Sequence, residues 1–398
     1  MEKQSNPQLA EALRSNLCDC ILPYWMNRMV DPSGGFYGRR DGFDLLHPGA
    51  EKGAILNARI LWTFAAAYNA LGNPEYCDTA KRAYDYICNH FIDRRYGGAF
   101  WSVNADGTPA DTKKQFYAIA FIIYGLSEYY RATADNEALT LAMELFDSIE
   151  QHSRDFKRGG YIEATTREWT PIADMRLSEK DSNASKTMNT HLHIIEGYTA
   201  LLRVSGDERV REATVALLRI FLNKIIDQST GHLNLFFNDD WQREDDTCSY
   251  GHDIEASWLL VESAEVIGDP ELLAETLRAT RKVAMAGLEG RNANGSMIYE
   301  RHADGRIDRE LHWWVQAENV VGQLYLAAWH GMPGQLDKAA ETFGYIQREL
   351  VDSENGEWYW SRLPDGSINR RDDKAGFWKC PYHNGRACLE GLRLLGQA

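Results

Sequence analysis

No stretch of the chain reaches roughly 18 consecutive apolar residues, which excludes a transmembrane helix. The opening run, MEKQSNPQLAEALRSNL, has no basic segment leading into an apolar core, so no secretory signal is expected. The seven cysteines (Cys18, Cys20, Cys77, Cys88, Cys248, Cys380 and Cys388) are odd in number, scattered and without a CxxC pair. That argues against a disulfide framework or a structural zinc site, and a reducing cytoplasm is the expected location. Positive charge is in short supply: 43 Lys and Arg stand against 58 Asp and Glu, for a net charge of −15. With no run of five like charges, there is no basic patch for nucleic acid and no polybasic membrane anchor. A Ser/Gly/Pro linker is also missing. Length alone, at roughly 150 residues per domain, favours two or three domains, but one domain over 1–398 is expected.

Aromatic residues are abundant, with 12 Trp and 19 Tyr. Many fall in six segments that share a polar turn, a glycine and alternating aromatics: DPSGGFYG (31–38), DRRYGGAFWS (93–102), DFKRGGYIEA (155–164), DQSTGHLNLFF (227–237), NANGSMIYER (292–301) and DSENGEWYWSR (352–362). Their marker glycines, Gly35, Gly98, Gly160, Gly231, Gly295 and Gly356, are 63, 62, 71, 64 and 61 residues apart. A fixed period of this size signals a repeat architecture. Each segment reads as a turn entering a short strand.

Two helical patterns lie between successive markers. Leu56, Ile60, Leu61, Phe64, Ala65 and Tyr68 show the helical spacing. Twelve helices are predicted, near 7–29, 52–71, 75–92, 114–132, 136–153, 187–205, 208–226, 252–267, 270–288, 313–330, 335–350 and 379–395. The last helix is as apolar as the internal ones, whereas an open solenoid needs polar caps. The expected fold is therefore all-α, a closed (α/α)6 barrel with short β-hairpin segments in its loops. The polar loop at 164–186 reads as an excursion that returns to the repeat.

Ionisable and aromatic residues collect where alternate helices begin: Lys52–Arg59, Lys114–Tyr117, Met188–His193, Ser249–Glu255, His312–Glu318 and Trp378–His383. In a toroid those six ends face one cavity, and helix N-termini favour developing negative charge. His191 and His193 form an HxH pair, but no cysteine or carboxylate supports it at metal-ligand spacing, so no metal site is expected. Glu255 lies one turn from His252 and can orient its ring, although a surface i,i+3 pair has the same spacing. His383 follows Pro381, which a capped loop-to-helix junction also explains. Arg59 sits among apolar neighbours and must either pair with an acid such as Glu318 or bind substrate oxygens. Histidines with an ordinary pKa near ~6.5 suit proton transfer at a carbon next to a carbonyl, and aromatic planes suit stacking on sugar rings.

At these residues the chain resembles the N-acylglucosamine 2-epimerase superfamily, and within it the cellobiose 2-epimerase branch. The runs KGAILNARILWTF, KTMNTHLHIIEGY, SYGHDIEASWLLVE, HWWVQAENVVG and WKCPYHNGR carry the resemblance over five of the six repeats. It implies an (α/α)6 barrel that inverts C2 of a reducing-end aldose without metal or nicotinamide. It implies His383 and His252 as bases on opposite faces, with Glu255 supporting His252. His193 is implied near the carbonyl and enediolate oxygens, Arg59 as their holder with Tyr117 and Asn189 beside it, and His191 as a structural member. Trp314 and Glu318 are implied as a substrate-contacting pair and Trp378 as the aromatic near the reducing-end sugar. Trp258 is also expected to touch substrate.

The expected activity is epimerisation of β-1,4-linked disaccharides (cellobiose, lactose, mannobiose) through a cis-enediolate. The alternatives are a monosaccharide 2-epimerase or aldose–ketose isomerase on the same barrel and, further off, a glycoside hydrolase or a sugar-binding module. No cofactor is expected. The expected partner is a small sugar, with no nucleic acid and no membrane; a monomer is expected and a homodimer is compatible.

Overall fold

The computed structural model describes residues 5–397; residues 1–4 and 398 of the expected domain lie outside it. Thirteen α-helical segments appear among the described residues. They are α1 (Pro7–Ser15), α2 (Leu22–Arg28), α3 (Ala54–Leu71), α4 (Pro74–Tyr86), α5 (Phe116–Thr133), α6 (Asn136–His152), α7 (Met188–Ser205), α8 (Glu208–Ile220), α9 (Tyr250–Ile267), α10 (Pro270–Gly287), α11 (Trp313–Trp329), α12 (Gln335–Glu349) and α13 (Tyr382–Leu394). A π-helical stretch, Asn16–Ile21, joins α1 and α2 into one rod, so twelve rods result, as the repeat predicts.

Six of these rods form an inner ring. Each of α3, α5, α7, α9 and α11 packs against the next, α11 packs against α13, and α13 returns to α3. The last helix also lies on α1, so the ring is closed and the fold is an (α/α)6 barrel. Inner helices are buried on nearly every side, between the cavity and the outer ring. In α3, every residue from Ala54 to Ala67 is buried, which explains a helix that is apolar all round. The outer helices are amphipathic and start at side-chain caps such as Asn73, Asp135, Asp207 and Asp269. Two glycines let inner helices touch. A Cβ on Gly125 would lie 2.8 Å from the Ala58 carbonyl, and one on Gly197 would lie 2.7 Å from that of Ala120.

The strands are shorter than the aromatic segments suggest. Each marker glycine closes a hairpin held by a single bridge, such as Ile92 with Ala99 or Arg154 with Tyr161. Two-residue ladders then tie consecutive repeats together: β1 (Lys52–Gly53) with β2 (Ser102–Val103), β3 (Lys114–Gln115) with β4 (Ala164–Thr165), and β5 (Lys186–Thr187) with β6 (Phe236–Phe237). The series continues with β7 (Cys248–Ser249), β8 (Glu300–Arg301) and β9 (Ile307–Asp308) in one small sheet, then β10 (Leu311–His312) with β11 (Ser361–Arg362). A bridge between Arg40 and Ala375 makes the sixth join. This pairing is why α3 and α5 begin two residues later than the periodicity predicts: Lys52–Gly53 and Lys114–Gln115 belong to ladders.

Four of those joins carry a buried lysine. Lys52, Lys114, Lys186 and Lys374 pair with Asp31, Asp93, Asp155 and Asp352, the acids that open the turns of repeats one, two, three and six. Burial opposes ionisation of Asp93, but Arg167 and Lys114 outweigh it and hold its carboxyl well below the usual range. Asp93→Asn would strand Lys114 without its anion. It is expected to lower stability by about 3–5 kcal/mol in denaturant titration, against about 0.5 kcal/mol for the exposed pair tested by Asp85→Asn. Equal small losses would show that the buried pairs do not hold the ladders.

Candidate active site

The inner helix N-termini surround a cavity of about 870 Å³, within the roughly 300–1,000 Å³ typical of small-molecule sites. Arg59, Tyr117, Asn189, His193, His252, Glu255, Trp314, Trp378 and His383 all line it, as the sequence predicts. The loop 175–182 lines it too. It belongs to the polar excursion at 164–186, which carries no repeat signal to mark it as part of the site.

The three cavity histidines differ in what holds Nδ1. His383 Nδ1 lies 2.7 Å from Glu318 Oε1, and His193 Nδ1 lies 2.8 Å from Glu196 Oε2. A carboxylate only accepts, so in both rings Nδ1 carries the proton and Nε2 is a bare acceptor. His252 Nδ1 lies 2.8 Å from the Ser249 hydroxyl instead. The Trp314 indole packs on both His252 and His383, with ring centroids 4.8 and 5.5 Å away. Burial pushes His383 down to about 3 and His252 to about 4. Burial, then the charges of Arg59 and Arg386, lowers His193 well below its ordinary value. The expectation of resting pKa values near ~6.5 is thus corrected: all three rings rest as neutral bases.

Arg386 was not singled out from the sequence. It lies one turn after His383, fully buried. Its Nη2 donates to Glu255 Oε1 and Glu318 Oε1, both at 2.6 Å, and its Nη1 donates to Glu196 Oε1 at 2.5 Å and contacts the Tyr382 hydroxyl. One guanidinium therefore links the acids behind two of the three histidines. The spacing held the signal: Glu196 is three residues after His193, as Arg386 is after His383, which places each pair on one helix face. Burial opposes ionisation of Glu318, but Arg386 and His383 hold its carboxyl near 2. Burial and the neighbouring Glu318 charge push Glu255 up to about 8.

Three expectations need correction. Glu255 does not support His252; it bonds to Arg386 and stands 3.9 Å from His383 Nδ1. Glu318 is no substrate contact: it is completely buried, with its oxygens bonded to His383, Arg386 and Trp258. Trp258 lies behind it, donating to Glu318 Oε2 at 2.9 Å and stacking on Arg386, away from the cavity wall. In each case the partner comes from another repeat.

Arg59 does not pair with Glu318, and no carboxylate forms a salt bridge with it among the described residues. Its Nη2 donates to the Tyr117 hydroxyl at 2.9 Å, and its guanidinium lies over the rings of Phe121 and Tyr382. Asn189 also presents a carbonyl oxygen with no protein partner. His191 is structural: its Nε2 accepts the Tyr161 N–H at 3.0 Å and fixes the hairpin below. The donors of Glu255, Glu318 and His383 lie within 4.8 Å of one another, a spacing a metal could use. Arg386 already brings positive charge to both carboxyls there.

The family described as N-acylglucosamine 2-epimerase (GlcNAc 2-epimerase) matches residues 35–387. The chain belongs to the N-acylglucosamine 2-epimerase family. Within this family it is 55% identical to the cellobiose 2-epimerase of Bacteroides fragilis, over 98% of this chain and 99% of that protein. It is 40% identical to the cellobiose 2-epimerase of Ruminococcus albus, over 95% of this chain and 97% of that one. The solved structure of cellobiose 2-epimerase from Spirochaeta thermophila superposes with a TM-score of 0.92 at 42% identity, covering 98% of this chain and 97% of that one. A carbohydrate epimerase, an isomerase by class, thus agrees with the cavity.

If Glu318 orients His383, Glu318→Gln is expected to lower kcat by about 10²-fold or more, with little change in KM. A rise in KM at unchanged kcat in steady-state assays would instead make it a substrate contact.

Proposed function

We propose that the enzyme inverts C2 of the reducing-end aldose of β-1,4-linked disaccharides. The observation that carries this reading is two neutral histidines, His383 and His252, packed on one tryptophan in a cavity that also presents Arg59 without a carboxylate. Proton transfer needs a base on each face of the sugar carbon, and the enediolate between the two steps needs a fixed positive donor. In the proposed cycle a histidine assists ring opening, and His383 or His252 takes the C2 proton on Nε2. Arg59 donates to the developing oxyanion. His193, its Nδ1–H committed to Glu196, offers Nε2 to a sugar hydroxyl. After rotation about C2–C3, the other histidine returns a proton to the opposite face. Similarity to the cellobiose 2-epimerases supports the disaccharide as substrate, and Trp314 and Trp378 offer planes for its rings. A single domain spanning the chain is part of the same proposal.

The carboxyls disfavour a hydrolase. Hydrolytic pairs flank the scissile bond roughly 5–9 Å apart, whereas Glu255 and Glu318 share one guanidinium nitrogen and Glu318 is closed off from the cavity. The test is incubation with cellobiose, mannobiose and mannose in deuterium oxide, with EDTA. Deuterium at C2 of the epimer, undiminished by EDTA, is the expected result; free monosaccharides or a ketose product would overturn the reading. His383→Ala and His252→Ala should each lose at least about a hundredfold in turnover.

A further inference from the structure

Glu196 and Glu318 each hydrogen-bond a histidine directly, whereas the one hydrogen-bond partner of the His252 ring among the described residues is a hydroxyl. Ser249 stands at the N-cap of α9, where a serine usually accepts a backbone N–H of the first turn. Here it caps nothing, and its buried hydroxyl is turned to His252 Nδ1 at 2.8 Å. Thr187, at the same place in α7, does cap its helix through the Thr190 N–H. Ser249 pairs in register with Glu300 across β7 and β8. That register sets the two side chains side by side on one face of the ladder, and Glu300 lines the same cavity.

We propose that Glu300 is a positioning residue for His252, acting through the Ser249 hydroxyl. The proposal rests on the epimerase reading above. The serine has one proton to give. If Glu300 accepts it, the serine oxygen is free only to accept, so His252 must carry its own proton on Nδ1. Nε2 is then bare and faces the cavity as a base. When Nε2 takes the C2 proton, the Nδ1–H remains on Ser249 and the serine proton remains on Glu300. The imidazolium is thereby compensated by a carboxylate at one remove. Without Glu300 as acceptor, the serine can donate to Nδ1 and hold the proton on Nε2, the form unable to abstract. Each cavity histidine would then end on a carboxylate, two directly and one through a hydroxyl.

The test compares wild type with Glu300→Gln, Ser249→Ala, Ser249→Thr and the double variant Glu300→Gln/Ser249→Ala. Glu300→Gln and Ser249→Ala are expected to lower kcat by about tenfold or more, with KM within about twofold. The double variant should be no worse than the worse single one, because both act on one path. Ser249→Thr keeps the hydroxyl and should stay within about threefold of wild type. Isotope exchange gives a readout that a structural defect would not mimic. In deuterium oxide, Glu300→Gln should still exchange C2–H without inversion from the epimer served by His383, while exchange from the other epimer falls. Equal losses from both epimers, a KM rise at unchanged kcat, or additive losses in the double variant would overturn the proposal. Absence of C2 exchange in the wild type would instead count against the epimerase reading itself.

Discussion

A single guanidinium, that of Arg386, connects the chemistry of this barrel to its fold. It bonds to Glu196 on α7, Glu255 on α9 and Glu318 on α11, and it is itself carried on α13. Four of the six inner helices therefore meet at one charge. A buried charge stripped of its partner costs about 3–5 kcal/mol, so the ring cannot shift one helix without exposing the cluster to that cost. The same bonds set the acids behind His193 and His383. Closing the barrel and aiming two histidines are one event.

This arrangement explains why the cavity can hold several ionisable groups and still present neutral bases. Burial alone lowers each histidine's affinity for protons. The acids behind His193 and His383 restore direction without restoring charge, because Arg386 neutralises what they carry. Arg59 is the exception: stacked on Phe121 and Tyr382 and hydrogen-bonded to the Tyr117 hydroxyl, it forms no salt bridge among the described residues and stands at the wall where a sugar oxyanion would form. Electrostatic stabilisation of that oxyanion is the largest contribution expected of such a site.

The fold was legible because it repeats. Six glycine-aromatic turns and paired helical patterns are local signals, and the apolar last helix carried the argument for closure. The lengths of the strands were not legible: two-residue ladders are decided by pairing between repeats, which no local pattern encodes. The site followed the same divide. Residues on the first turns of the inner helices, His252, His383, Arg59 and Tyr117, stand out because polar groups are unexpected there. Their partners did not, because Glu318, Glu196 and Arg386 come from helices far apart in sequence. Glu255 shows the cost most clearly: helical spacing offered His252 as a partner one turn away, whereas α13 brings Arg386 closer in space. The place of Trp258 behind Glu318 likewise depends on α11, a repeat away in sequence.

Arg386 works as a fork, holding several acids in fixed directions, and not merely as a positive charge. Arg386→Lys separates the two, since an ammonium keeps the charge but cannot bridge Glu196 on one side and the Glu255–Glu318 pair on the other. Measured on folded protein, verified by thermal melting, turnover of cellobiose should fall by about a hundredfold or more. Turnover within about threefold of wild type would show instead that any buried cation suffices and that the fork geometry is not needed.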